Sequence, residues 1–142
     1  MNNLEFRGHN GEDWLHGDLL TGKPADTFSY IRYSDIEGDI LARMINPETV
    51  GQYIGIKDKN GVKVFNNDIV RYVYVDDGKT IPHTSRIYYS DRQATYVVDV
   101  ATKYQASNGN WIHSRTKTPV HMIDLKSLEV IGNIYENPEL LS

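Results

Sequence analysis

The sequence predicts a mostly β fold: a small β-barrel built from residues 46–142, with an N-terminal β-meander of residues 1–45 packed on it and a few short helical turns. Three observations carry this expectation. Apolar residues come in short runs, and 11 glycines and 10 tyrosines are spread among them, which favours strands and turns over helices. Asn60-Gly61 sits between two half-apolar runs and is a hairpin signal, because both residues tolerate the positive φ that a type I′ turn demands. Ile69-Val70-Arg71-Tyr72-Val73-Tyr74-Val75 is a strand by its β-branched and aromatic content alone.

Taken in order, Leu4 to Arg7 is a short alternating strand stopped by Gly8-His9-Asn10-Gly11, and Trp14 to Leu20 pairs back on it. Trp14 is the largest side chain available to bury locally. Gly22-Lys23-Pro24 is a break. Phe28 to Tyr33 and Ile40 to Ile45 are two further strands around the polar turn from Ser34 to Asp39. Asn46-Pro47-Glu48 is a corner, since Asn caps and Pro fixes φ.

The run from Val50 to Ile56 has apolar even positions interleaved with Gly51, Tyr53 and Gly55, the period-two pattern of a strand that bends or approaches another backbone. After the Asn60-Gly61 turn, Val62 to Phe65 returns. Asn66-Asn67-Asp68 is a second corner, with Asn67 the left-handed residue, because Asn and Asp visit that region most readily among non-glycines. One face of the next strand carries Ile69, Arg71, Val73 and Val75 and the other Val70, Tyr72 and Tyr74, so burial on one side and aromatic cover on the other is expected. Asp76-Asp77-Gly78-Lys79 is a turn that opens a loop through Pro82 and His83. Thr84 to Tyr89 and Thr95 to Val100 are strands joined through Ser90 to Gln93, and Trp111 begins another before an exposed polar loop from Ser114 to Pro119. Leu125 to Leu128 is a 3₁₀ turn capped by Asp124. Glu129 to Tyr135 closes the sheet, and Asn137-Pro138-Glu139 starts a last helical turn.

Composition narrows the chemistry. The chain has no cysteine, so disulfides, thiolate metal sites and a cysteine nucleophile are excluded. No secretory leader and no run of about 20 apolar residues is present, which predicts a cytoplasmic protein without membrane contact. The net charge of −4 is unevenly spread: six bases face ten acids over residues 1–60, but six bases face two acids over residues 78–121. The basic segment is compatible with anion or nucleic-acid contact, and its charge is well below that of a dedicated nucleic-acid binder.

No catalytic constellation is readable. The histidines His9, His16, His83, His113 and His121 lack the spacing of a zinc site, and only His113 and His121 would meet, if their strands paired across 114–119. No Gly-x-Ser-x-Gly elbow is present. The glycines of 51–61 form no phosphate loop, because no helix follows to present its N-terminus. A non-enzymatic protein without metal or cofactor is the expectation. The residues of interest are Arg71, Tyr72, Tyr74, Arg86, Tyr88, Arg92, Tyr96, Lys103, Arg115 and Lys117, aromatic and basic side chains on neighbouring strands. Three readings compete for them: rings filling a barrel core with hydroxyls at the rim, a protein interface, or a stacking and phosphate-neutralising surface for single-stranded nucleic acid.

The stretch GQYIGIKDKNGVKVFNNDIV, with Leu4-Glu5-Phe6-Arg7-Gly8 near the start and Val130 to Pro138 near the end, resembles the YopX-like family, encoded mainly by phages and prophages of Gram-positive bacteria. Ile54 stands where that family usually has Thr, and Asn66-Asn67 where it has an acid and Gly. The resemblance implies a mostly β fold with an SH3-like barrel in the second half, and it brings no established catalytic residues. The functional expectation is a phage- or prophage-derived binding module for a host or phage protein or for itself, with single-stranded nucleic-acid binding through a Tyr/Arg face as the alternative.

Overall fold

The computed structural model describes residues 4–22, 28–76 and 78–141, the side chains of 76 and 102–104 excepted. The break expected at 22–24 and Asp77 of the turn before Lys79 therefore lie wholly or partly outside the described residues. The described residues are mostly antiparallel strand, with three short 3₁₀ turns, and the chain divides into two compact units, Met1–Ile56 and Lys57–Ser142. No helix among the described residues is long and apolar enough to cross a membrane.

In the first unit β1 (Phe6–His9), β2 (Trp14–Thr21), β3 (Ser29–Ser34) and β4 (Ile40–Ile45) form a meander, and β5 (Gly51–Lys57) adds on the far side of β1. The β1–β2 register sets Phe6 opposite Gly17 and His9 opposite Trp14, while Phe6 faces Gln52 of β5. Because β5 bonds to β1, the unit runs past the Asn46 corner. Its fully apolar interior is small, centred on Ile31 and Ile45. Gly8 does not stop β1, as the sequence suggests, but lies within it, because a Cβ there would overlap the Ile45 side chain. Trp14 is half-buried, with the His9 ring edge-on at 5.1 Å and the Arg7 guanidinium 4.6 Å from its ring centre.

The second unit contains β6 (Lys63–Phe65) and two three-stranded sheets. One has the order β12 (Glu129–Asn133), β7 (Asp68–Asp76), β8 (Lys79–Arg86); the other has β11 (Trp111–Pro119), β10 (Thr95–Gln105), β9 (Tyr88–Ser90). The strand at 69–75 and the closing strand share a sheet, with Val70 opposite Val130. The core holds Val64, Ile69, Val70, Tyr72, Ile87, Val97, Val98, Val100 and Leu128. Val70 and Tyr72 are buried, while on the opposite face Ile69 is buried but Arg71 and Val75 are exposed, so that face of β7 is wet over part of its length rather than covered throughout.

Three expectations change here. The loop through Pro82 and His83 is strand: β8 pairs with β7 over its whole length, from Ile69–Arg86 to Asp76–Lys79. Pro82 is tolerated because β8 is an edge strand, where a missing N–H can face outward. The predicted single strand 84–89 breaks at Ile87, whose N–H donates to the Asp68 carbonyl and whose carbonyl accepts from Asn67 N–H, both at 2.8 Å. The polar stretch 114–119 continues β11, paired with β10 from Val97–Pro119 to Gln105–Trp111. Its polarity reflects exposed side chains on an edge strand, not a loop. His113 and His121 are thus held apart by roughly 20 Å of strand, and they do not meet.

The turns follow from a few polar groups. Only Gly61 of the Asn60-Gly61 pair takes positive φ, at 79°, so the turn is not type I′. Gly61 N–H donates to the Asp58 carbonyl (3.0 Å) and Asp58 N–H to the Val62 carbonyl (2.8 Å), the pattern of a type I turn closed by a left-handed glycine. Asn67 takes φ 74°, as the sequence implies, and its side-chain N–H donates to the Tyr135 hydroxyl at 3.0 Å. Asn67→Ala should cost about 1–2 kcal/mol through the strained backbone, and Asn67→Gly distinctly less. Urea melts of the two variants check this. At the other end, Asp124 caps its turn as expected, its Oδ1 accepting from Lys126 N–H at 3.1 Å.

Candidate functional site

The alternation of β10 and β11 assembles a cationic face in the second unit. Lys117 lies opposite Asp99 and Arg115 opposite Ala101, while Tyr88 of β9 lies opposite Val97. All six residues therefore share one face of the sheet. Arg86, the last residue of β8, lays its guanidinium 4.7 Å from the Tyr88 ring centre, and Lys117 Nζ stands 5.8 Å from it. Such cation–π contacts occupy the ring face.

Asp99 is the hub beneath these cations. Its Oδ1 accepts from the Tyr88 hydroxyl in a short hydrogen bond. Its backbone carbonyl accepts from the Tyr72 hydroxyl at 2.8 Å, and its N–H donates to Ser85 Oγ at 2.9 Å. Ser85 Oγ in turn donates to the Arg86 carbonyl. Burial, then the hydrogen bond and charge of Asp99, push the Tyr88 phenol up to about 12, although Arg86 pulls the other way. Tyr72 is raised for the first and last of these reasons, burial first. Both phenols stay protonated and serve as donors.

Beside Asp99 opens a cavity of about 220 Å³ lined by His83, Ser85, Arg86, Asp99, Arg115 and Leu141. His83 packs between the rings of Tyr72 (5.8 Å) and Tyr74 (6.0 Å). Its Nε2 is buried without a hydrogen-bond partner, and burial lowers its pKa, so the imidazole is neutral at pH 7.

Of the residues singled out from the sequence, the fold gathers Arg86, Tyr88, Arg115 and Lys117. Tyr72 is core. Tyr74 is occupied with His83, and Tyr96 sets its ring edge-on to Tyr89 at 5.2 Å. Arg71 and Arg92 are exposed and do not line the cavity, and the Lys103 side chain lies outside the described residues. Sequence reasoning passes over Asp99 and Ser85, and weighs His83 only as a metal ligand. A lone acid inside Val97-Val98-Asp99-Val100 was the available signal. It also passed over Asp35, Glu37 and Asp39 in the first unit, whose oxygens lie within 4.8 Å of one another. Asp35 Oδ1 accepts from the Glu37 and Asp39 N–H groups, both at 2.9 Å, so this cluster is accounted for by its own turn.

The model of the family described as YopX protein matches residues 5–142, nearly the whole chain. The chain belongs to the YopX family. No curated protein matches this YopX-family chain. Among solved structures, the crystal structure of protein EF1440 from Enterococcus faecalis is similar, at 21% identity over 98% of each chain and a TM-score of 0.48.

Proposed function

We propose that this YopX-family chain is a non-enzymatic protein–protein interaction module, cytoplasmic and of phage or prophage origin, with the two sheets of its second unit forming an SH3-like barrel. The observation that carries the reading is β11, nine residues long at the edge of its sheet, with Trp111 57% and Ile112 38% exposed. The Lys117 carbonyl accepts from Gln93 Nε2 at 3.0 Å; elsewhere an edge strand offers backbone groups to an incoming strand, and the side chains beside it select the partner. Lys117, Arg115 and His113 at alternate positions favour an extended partner segment bearing acids. They disfavour a second copy, since an antiparallel β11 pair centred on Arg115 would set Arg115 against itself and Lys117 against His113.

Light scattering should therefore find the isolated chain monomeric, and affinity capture from host lysate should retain a protein that Trp111→Ser with Ile112→Ser releases. A partner held equally well by the double variant, or none held at all, would sink the reading. Single-stranded nucleic acid is the second reading, favoured by the row of Arg86, Arg115 and Lys117. Against it, Tyr72 is core and Tyr74, Tyr88 and Tyr96 already pack against other side chains, which leaves few of these rings open to stack on bases. It requires retardation of single-stranded DNA or RNA that weakens steeply with salt.

A further inference from the structure

From the cavity beside Asp99 we infer a binding site for a small oxyanion, a phosphate or carboxylate group, held between the guanidinium groups of Arg86 and Arg115. The lining carries two arginines against one carboxylate. No ion pair joins Arg86 or Arg115 to any acid among the described residues, so Asp99 makes no direct pair with either and offsets at most one of the two charges. One of its oxygens is instead taken by Tyr88. A planar guanidinium presents paired N–H donors that fit two oxygens of one anion, and two of them in one concavity concentrate positive potential there.

The other polar groups of the lining narrow the choice. Ser85 Oγ is spent within the protein, accepting from Asp99 N–H and donating to the Arg86 carbonyl. His83 Nε2 is buried without a partner and closed off from the cavity, so the two arginines are the donors left for a bound oxygen. Volume sets the size of ligand. About 220 Å³ holds roughly seven waters at about 30 Å³ each, below the ~300 Å³ at which pockets for drug-sized ligands begin. The site thus fits an anion with at most a small organic group. The site shares Arg115 with the β11 edge, but the partner reading is tested at Trp111 and Ile112, so either can fail without the other.

Nuclear magnetic resonance on the full chain tests it, with sodium phosphate, sodium acetate and sodium chloride added in separate titrations at constant ionic strength. Saturable shifts of the amides at 83–86 and 99–101 are expected with phosphate and none with chloride. Matching shifts with acetate show that a carboxylate suffices; shifts with phosphate alone restrict the site to phosphate, and either result supports it. Arg115 is exposed and makes no ion pair, so Arg115→Gln should fold and weaken binding at least tenfold. Arg115→Lys, which keeps the charge but not the fork, should fall between. Arg86→Gln provides the second variant. Absence of saturable shifts with both oxyanions, or affinity unchanged in Arg115→Gln and Arg86→Gln, overturns the proposal.

Discussion

Replacing Asp58 by Ala is expected to destabilise the second unit by about 3 kcal/mol, a fall in Tm on the order of 10 °C. The carboxylate is 7% exposed and spends both oxygens on backbone donors. Oδ1 accepts from Asn60 N–H (2.8 Å) and Val62 N–H (2.9 Å), and Oδ2 from Val130 N–H (2.9 Å). Removing it strands three N–H groups at the point where the 58–62 turn meets β12. Asp58→Asn keeps the Oδ1 role but turns an amide N–H toward Val130, so about 2 kcal/mol is expected.

A pH dependence accompanies this. Burial pushes the Asp58 carboxyl up, but the three N–H donors and the Lys59 charge outweigh it and leave it below the ordinary 3.8. A folded-state value below the unfolded one makes the contribution complete above about pH 4, and lost as pH falls through the folded value. Acid titration of stability should therefore show a limb below about pH 4 that Asp58→Asn flattens. An unchanged limb in that variant would assign it to other acids.

Gly17→Ala is expected to cost the first unit about 3 kcal/mol. The residue looks unremarkable in the sequence, one glycine within a strand. A Cβ at Gly17 would overlap the backbone carbonyl oxygen of Arg32 and crowd the Ile31 side chain. Since the obstacle is main chain on β3, no rotamer change relieves it, and the pairing of β2 with β3 from Asp18–Arg32 to Thr21–Ser29 must shift. Gly11→Ala, where a Cβ meets nothing within 4 Å although φ is +102°, is the control for backbone strain alone. Chemical denaturation of both separates overlap from strain, and equal losses would refute the packing account.

What could be read from the sequence was local. Ile69 to Val75 is legible because β-branched and aromatic residues leave no competing helix, and Asn67 because few other residues sit at positive φ. Gly8 and residues 79–83 depart from their local reading for one reason. Glycine and proline are punctuation when the chain is read alone, yet here Ile45 packs where Gly8 has no side chain, and an edge position accommodates Pro82. Residues 114–119 look like a loop because an edge strand with wet side chains has no apolar alternation to betray it.

The candidate site was legible only in its cations. Arg86, Tyr88, Arg115 and Lys117 were chosen as residue types, but their meeting depends on the register that sets Asp99 against Lys117, which no local pattern encodes. The sequence leaves Tyr72 open between core and surface because tyrosine serves both equally well. Its burial is permitted by the Asp99 carbonyl that receives its hydroxyl.

The bond from Val130 to Asp58 has a consequence for biosynthesis. Its partners are 72 residues apart, and at about 5–20 residues per second a ribosome needs roughly 4–14 s to travel between them. Throughout that interval a nascent chain holds an acid awaiting its last donor, while β1 to β4 already have every hydrogen-bonding neighbour translated. Emergence of the polypeptide should thus order its two halves in time, and a stall before codon 130 would leave the later half open to proteolysis.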